Sequence, residues 1–294
     1  MTVLRSIHVL GIGKMGLPMA TLLHNAGYDV TVSDVSSERL DRAAERSLKI
    51  VHSQVIPGPA KVLVSSIPDD AALLAIAHQV AAQATRGATW IDTSTVSPTA
   101  SAQAAAICEQ SGIAYLRCTV SGNNHMMEAA QVTVMASGPR SVFDSLEPLL
   151  KCFGPTVFYL GDAEQSRLMK LVINLMIVQT SAMLGEALSL GEKGGLDWQA
   201  MWRVIAASAV GSPIVKAKAV QLSQRDYTPT FTVLQMVKDM DLMLSEANRL
   251  QVPLPQTSLT RQAMMSALAH GFAEQDYASV IKVAEMAAGL KPAK

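Results

Sequence analysis

The chain has 294 residues, 49% of them hydrophobic and 16% charged, and its 24 basic and 24 acidic side chains leave a formal net charge of zero. That length and apolar content can bury a large core in one or two domains. The balanced charge gives no electrostatic footprint for nucleic acid or an anionic membrane, so a small-molecule partner is expected.

The three cysteines, Cys108, Cys118 and Cys152, show no C-x-x-C spacing. Neither a disulfide framework nor a metal site is expected, and a reducing cytoplasm fits. The N-terminal apolar run is broken by Lys14 and reads as a strand, so no signal peptide is expected. The longest strongly apolar, uncharged stretch, residues 171–185, falls short of the ~18 residues of a membrane span.

Residues 6–34 read as one strand–helix–strand unit. Ile7, Val9 and Leu10 form a short β-prone run, Gly11-Ile12-Gly13-Lys14-Met15-Gly16 supplies G-x-G-x-x-G, and Met19, Leu22 and Leu23 recur at helical spacing. In such a unit Gly11 makes the tight turn, Gly13 lets the backbone approach a pyrophosphate and Gly16 lets helix pack on strand. The N–H groups at the helix start, around Lys14 and Met15, bind phosphate. A second strand over residues 29–33 delivers Asp34 about twenty residues beyond the glycines, where a carboxylate grips a ribose 2′-hydroxyl and repels a 2′-phosphate. No arginine stands immediately beside it, Arg39 being the nearest, so NAD is favoured over NADP.

A polar amphipathic helix follows over residues 37–47, and Pro57-Gly58-Pro59 marks a turn before a strand over residues 61–66. Asp69 can cap a helix through Val80, and Ser97 can cap another with Pro98 at its first position. Strands are expected over residues 88–92, 114–117, 131–136 and 156–160, with a helix over 141–150. The alternation predicts an α/β fold, a Rossmann-type doubly wound parallel sheet over residues 1–161. From Gly161 the strand signals stop. Asp162 reads as the N-cap of a long helix from residue 163 to about 193, joining the sheet to an all-α domain over residues 162–294. Asp197 caps a helix through Ala209, Gly211-Ser212-Pro213 breaks the chain, and helical patterns cover residues 232–250, 258–270 and 277–290. These Met- and Leu-rich helices would be covered by a second subunit, in a homodimer or homotetramer.

Open parallel sheets bind ligands outside the carboxyl ends of their strands, which singles out Ile67, Pro68 and Thr95, and the segment 119–125 with His125. Ser94 and Thr95 equally suit ordinary turn and capping chemistry. Lys170 stands in the apolar run Leu168-Met169-Lys170-Leu171-Val172-Ile173-Asn174, and spacing of four puts Asn174 on the same helical face. An unpaired ammonium is costly to bury, so Lys170 either snorkels to solvent or lines a functional cleft with a shifted pKa.

Over nearly its whole length the chain resembles the β-hydroxyacid dehydrogenase family. GIGKMGLPMA at residues 11–20 is similar to the family's cofactor signature, Asp92-Thr93-Ser94-Thr95 to its cofactor-contacting D-x-S-T, and Thr119-Val120-Ser121-Gly122 to the P-V-S-G of its substrate loop. The resemblance implies that Lys170 is the catalytic lysine and Asn174 its partner, in a long interdomain helix followed by Glu186 and by Lys193-Gly194-Gly195-Leu196-Asp197. It implies substrate contacts at Ser121, Gly122 and Asn123, and places Phe231 and Lys238 of an F…K-D pattern near the nicotinamide. The activity implied is NAD-dependent interconversion of a short 3-hydroxycarboxylate and its semialdehyde by hydride transfer, with Lys170 as proton donor and acceptor.

One loop departs from the pattern: where the family shows G-G after Ser and further small residues, this chain has Asn123, Asn124, Met126, Met127 and Ala130. Asn tolerates the left-handed conformation that Gly permits but fills space, so a narrower, partly apolar wall is expected at the substrate's outer end. Two rival readings stand beside this one. An imine reductase on the same architecture gains little from a lysine cation, and a non-catalytic NAD-sensing module would bind a partner protein.

Overall fold

The computed structural model describes residues 6–51 and 60–291; the Pro57-Gly58-Pro59 turn lies outside them. In chain order the first half forms β1 (Ser6–Leu10), α1 (Gly16–Asn25), β2 (Asp29–Ser33), α2 (Ser37–Glu45), β3 (Lys49–Ile50), β4 (Val62–Ser65), α3 (Asp70–Gln83), β5 (Thr89–Asp92), α4 (Pro98–Gln110), β6 (Ala114–Ser121), α5 (Asn124–Glu128), β7 (Thr133–Ser137), α6 (Arg140–Leu150) and β8 (Thr156–Tyr159). Side-chain caps fix several helix starts. Ser36, Asp69 and Ser97 accept from the N–H groups of Arg39, Ala72 and Ala100, and Pro98 takes the first turn where its missing N–H costs nothing.

The strands form one sheet in the order β3-β2-β1-β4-β5-β6-β7-β8. Alternate residues of its central strands feed two apolar layers: Val62, Val64 and Ile91 pack on one face, Leu63 and Trp90 on the other. From β3 to β6 every pairing is parallel, as the doubly wound pattern predicts. At one edge the direction reverses, because β7 pairs antiparallel with β6 and β8 then runs parallel to β7. A parallel return needs a crossover of about a dozen residues or more, and the segment 122–132 is too short and folds mostly into loop and the single turn of α5.

β1 also carries a polar group into the core. His8 is fully buried, with Nδ1 2.8 Å from Thr31 Oγ1 and Nε2 3.0 Å from Ser33 Oγ. Burial lowers its pKa from 6.5 to about 4, so the folded chain holds it neutral where the unfolded chain would protonate it. The resulting stability is intact above pH 6.5 and is lost as pH falls from 6.5 towards 4, by at most about 3 kcal/mol. The urea midpoint should drop across that window and flatten in His8→Gln. Parallel pH curves for the two proteins would refute this.

Past β8 the chain is helical: α7 (Gln165–Lys193), α8 (Trp198–Ala207), α9 (Pro213–Leu222), α10 (Val233–Leu250), α11 (Pro255–Ala269), a 3₁₀ turn at Tyr277–Ser279 and α12 (Val280–Ala287). Asp197 caps α8, and Thr232 with Gln235 forms a capping box on α10. Asp162 does not cap α7, which starts three residues later; the Ala163 N–H is taken instead by the Gln165 side chain at 2.8 Å. The Gly-Ser-Pro break hides a helix, since Ser212 is the N-cap and Pro213 the first residue of α9.

By compactness the chain divides into residues 1–170 and 171–294, a division inside α7 and beyond the change of pattern at Gly161. Residues 171–294 pack around Met236, Met240, Met243, Met264 and Tyr277, and around Leu188, Trp202 and Ile281. By length and composition α7 could cross a membrane, with an 18-residue window of mean hydropathy 1.5, more than the uncharged stretch alone suggests. Only 39% of that window is buried, but the first turns of α7 bury Ser166, Arg167 and Asn174 against polar partners.

Candidate active site

The β1–α1 turn has the geometry that its glycines predict. Gly11 sits at φ 81°, and a Cβ there would lie 2.5 Å from the Ser66 carbonyl oxygen; one on Gly16 would lie 1.9 Å from the Gly11 oxygen. Above Gly13 the space is open except for the tip of Arg39, 3.9 Å from where a Cβ would stand. Lys14 is exposed and Met15 half-buried. The Asp34 carboxylate accepts the Ile12 N–H at 2.8 Å and the Ser36 N–H at 2.9 Å, tying the glycine turn to the end of β2. Arg39 is nearer in space than in sequence: the first turn of α2 brings its Nη1 to 3.4 Å from both Asp34 oxygens.

At the carboxyl ends of β4 and β5 the D-x-S-T segment is held by a buried polar network. Asp92 accepts from Ser65, from Ser94 Oγ at 2.6 Å and from Tyr115 at 3.2 Å. Ser94 Oγ in turn accepts the Ile67 N–H at 3.0 Å, so Ile67, Pro68 and Thr95 are carried on one braced surface. The centre of the network is Arg167, which the sequence reading did not single out. Its fork donates to Asp92, to the Ser94 carbonyl at 2.6 Å, to Tyr115 at 2.9 Å and to Ser101 at 3.1 Å, and both members of the Asp92–Arg167 ion pair are completely buried. Burial alone would lower the Arg167 pKa, but Tyr115 and Asp92 reverse this and leave it raised; burial beside Asp92 likewise raises the Tyr115 phenol.

Three residues beyond Arg167, the half-buried Lys170 donates from Nζ to the Val120 carbonyl at 2.8 Å. The ammonium is held near the carboxyl end of β6, at the residue before Ser121 and two before the exposed Gly122. Asn123 is not free to reach outward with its oxygen, which caps α5 by accepting the Met126 N–H at 3.0 Å. The left-handed residue of this loop is Ala130, at φ 53°, whereas Asn123 is extended and Asn124 helical. Only one of the two methionines can form an apolar wall, because the turn of α5 drives Met127 fully into the core and leaves Met126 at the surface beside Gly122. His125 is exposed and faces Glu128 at 3.9 Å.

Within residues 171–294, the buried Asn174 donates to Asp239 Oδ2 at 2.7 Å. The Lys238 ammonium lies 2.9 Å from Asp239 Oδ1, close enough for charge attraction though off hydrogen-bond alignment. Phe231 is half-buried edge-to-face on Tyr277. The open backbone over Gly13, the close approach at Gly16 and the inward carboxylate of Asp34 fit a dinucleotide, which a Cβ or a bulkier turn would exclude.

Residues 6–161 match the family described as the NAD binding domain of 6-phosphogluconate dehydrogenase, and residues 165–284 the family described as NAD-binding of NADP-dependent 3-hydroxyisobutyrate dehydrogenase. The chain is 28% identical to 2-(hydroxymethyl)glutarate dehydrogenase of Eubacterium barkeri over 97% of its length and 96% of the relative's. It is 30% identical to L-threonate dehydrogenase of Cupriavidus necator, covering 95% and 96%. Among solved structures it resembles the 3-hydroxyisobutyrate dehydrogenase of Mycobacterium tuberculosis with L-serine, at a TM-score of 0.85 and 25% identity, covering 95% and 98% of the two chains. A glycine turn closed by Asp34, a lysine anchored on the Val120 carbonyl near the end of β6 and two family matches that together span nearly the whole chain agree: the chain belongs to the β-hydroxyacid dehydrogenase family of NAD(P)-dependent oxidoreductases.

Proposed function

We propose that the chain interconverts a short 3-hydroxycarboxylate and its semialdehyde in the cytoplasm, with NAD as the preferred cofactor. The observation that carries this reading is the Lys170 ammonium held on the Val120 carbonyl, one residue before Ser121. The relatives named for hydroxymethylglutarate, threonate and hydroxyisobutyrate support the substrate class, since each of those acids has a hydroxyl β to a carboxylate. Free, buried Cys108 and Cys118, both with thiols pushed up to about 12 by burial, support a reducing compartment.

In this reading residues 1–161 are the dinucleotide-binding domain. Gly11, Gly13, Lys14, Met15 and Gly16 hold the pyrophosphate, Asp34 the adenosine ribose, and Ile67, Pro68 and Thr95 line the cofactor further along. Bound NAD supplies the hydride acceptor for oxidation. Ser121 Oγ and the Gly122 N–H hold the substrate carboxylate, with Asn123 behind them. As a neutral amine, Lys170 takes the hydroxyl proton while the carbonyl forms; as an ammonium it returns that proton in reduction and stabilises the charge on oxygen. In residues 162–294, Asn174 orients substrate or lysine with its amide fixed by Asp239, and Phe231 and Lys238 neighbour the nicotinamide. A panel of hydroxyacids and semialdehydes followed by NADH fluorescence tests the assignment. Turnover of a 3-hydroxycarboxylate is expected, whereas turnover of imines alone, or tight NADH binding without turnover of any compound, would overturn it.

The same reading makes the helical half a dimerisation domain. Met169, Val172, Met176, Met183 and Leu190 recur at spacings of three, four and seven along one face of α7 and are all exposed, Met176 to 65% and Leu190 to 78%. A continuous apolar face of this kind is characteristic of subunit interfaces. Light scattering at micromolar concentration should give a dimer or tetramer, and Met176→Glu with Leu190→Glu should lower the mass. A monomeric mass for the wild-type chain would refute the assembly.

A further inference from the structure

We propose that Arg39 is a cofactor-selecting residue that lets the adenosine end of the site accept a 2′-phosphate, so that the chain uses NADP as well as NAD. The inference rests on the dinucleotide-binding reading above and extends it. A lone carboxylate at the end of β2 excludes a 2′-phosphate by charge. Here the carboxylate is not alone: Arg39 Nη1 stands 3.4 Å from both Asp34 oxygens. An anion brought to this corner meets two opposite charges at similar range, and their fields largely cancel.

Orientation reinforces the cancellation. The Asp34 side chain is only 2% exposed, and each oxygen already accepts one backbone N–H, from Ile12 or Ser36, so its charge is turned towards the glycine turn. Arg39 faces the other way, with 49% of its side chain exposed, and its Nε and Nη2 donors make no hydrogen bond among the described residues. Its backbone is fixed by the α2 cap, the N–H donating to Ser36 Oγ, and its guanidinium reaches across to Gly13. A planar fork anchored at one nitrogen and open at the others is the shape that binds phosphate oxygens in pairs. The lone pairs that Asp34 retains still suit a ribose hydroxyl, which is why both dinucleotides fit one site.

The test is equilibrium binding of NADH and NADPH to the full chain, followed by nicotinamide fluorescence. The wild-type chain should bind both. Arg39→Ala should weaken NADPH by about tenfold to a hundredfold more than NADH, the range of a lost charge-assisted hydrogen bond. Arg39→Lys should recover part of that loss, since it keeps the charge without the fork. Adenosine 2′,5′-bisphosphate should compete with NADH on the wild-type chain and more weakly on Arg39→Ala. The proposal is overturned if the wild-type chain binds NADH but not NADPH, or if Arg39→Ala changes the two affinities by the same factor. Binding of neither dinucleotide would instead overturn the underlying site assignment, and this proposal with it.

Discussion

Lys170→Ala is expected to lower kcat by about a hundredfold or more, while NADH affinity changes little. A positioned proton donor contributes roughly 10²–10⁴-fold, and the ammonium adds electrostatic stabilisation as charge grows on the substrate oxygen. Lys170 Nζ donates to the Val120 carbonyl near the end of β6, one residue before Ser121, so the loss should appear in turnover rather than in cofactor binding. Lys170→Arg should fail to rescue, because a guanidinium keeps its proton throughout the accessible range. In the oxidative direction the amine must be neutral to accept the hydroxyl proton, so wild-type activity should rise with pH and that rise should vanish in both variants. Near-wild-type kcat in either variant at saturating NAD would remove Lys170 from the chemistry and leave a lysine that merely ties α7 to β6.

The parts of this architecture that could be read from the amino acids are those written in local chemistry. The glycine triplet and the caps at Asp69, Ser97 and Asp197 each depend on residues within a turn or two of one another, Asp34 follows the glycines at a fixed span within one strand–helix–strand unit, and the structure has those elements. Strand direction is not local. Nothing in the apolar run of β7 says that it lies antiparallel to β6; the only signal was the short segment before it. The loop of Asn123 to Ala130 was legible only in part for a similar reason. Side-chain size suggested a narrower, partly apolar wall without saying which residues face outward; one turn of helix sends Met127 inward and Met126 outward, and the left-handed position falls on Ala130. Ser212-Pro213 was legible as a helix start and was read as a break, because the glycine before it carried the stronger turn signal. Arg167 was least accessible of all. Its partners Asp92 and Ser94 are more than seventy residues away, and the one hint was a lone Asp at the end of an apolar strand with no solvent-facing role.

Arg167→Met is expected to destabilise the chain by about 3–5 kcal/mol, the cost of leaving a buried charge without its partner. Asp92 would stay fully buried and keep only hydroxyl and backbone donors. Removing the charge from both sides should behave differently, since a buried ion pair is weak evidence for stability in itself. Arg167→Met combined with Asp92→Asn keeps one acceptor oxygen for Ser65 and Ser94, turns the other contact round so that the amide NH2 donates to the Tyr115 hydroxyl, and should recover most of the urea midpoint. What it should not recover is kinetics. The guanidinium is the link from the Ser94 carbonyl, in the D-x-S-T segment, to the helix that presents Lys170 three residues later. Without it the segment and the lysine lose their common anchor, so the stable double variant should show a raised KM for NAD and a lowered kcat. A single variant that loses less than about 1 kcal/mol would show that Asp92 is not held by Arg167. A double variant with wild-type KM and kcat would show that the pair stabilises the fold and positions nothing.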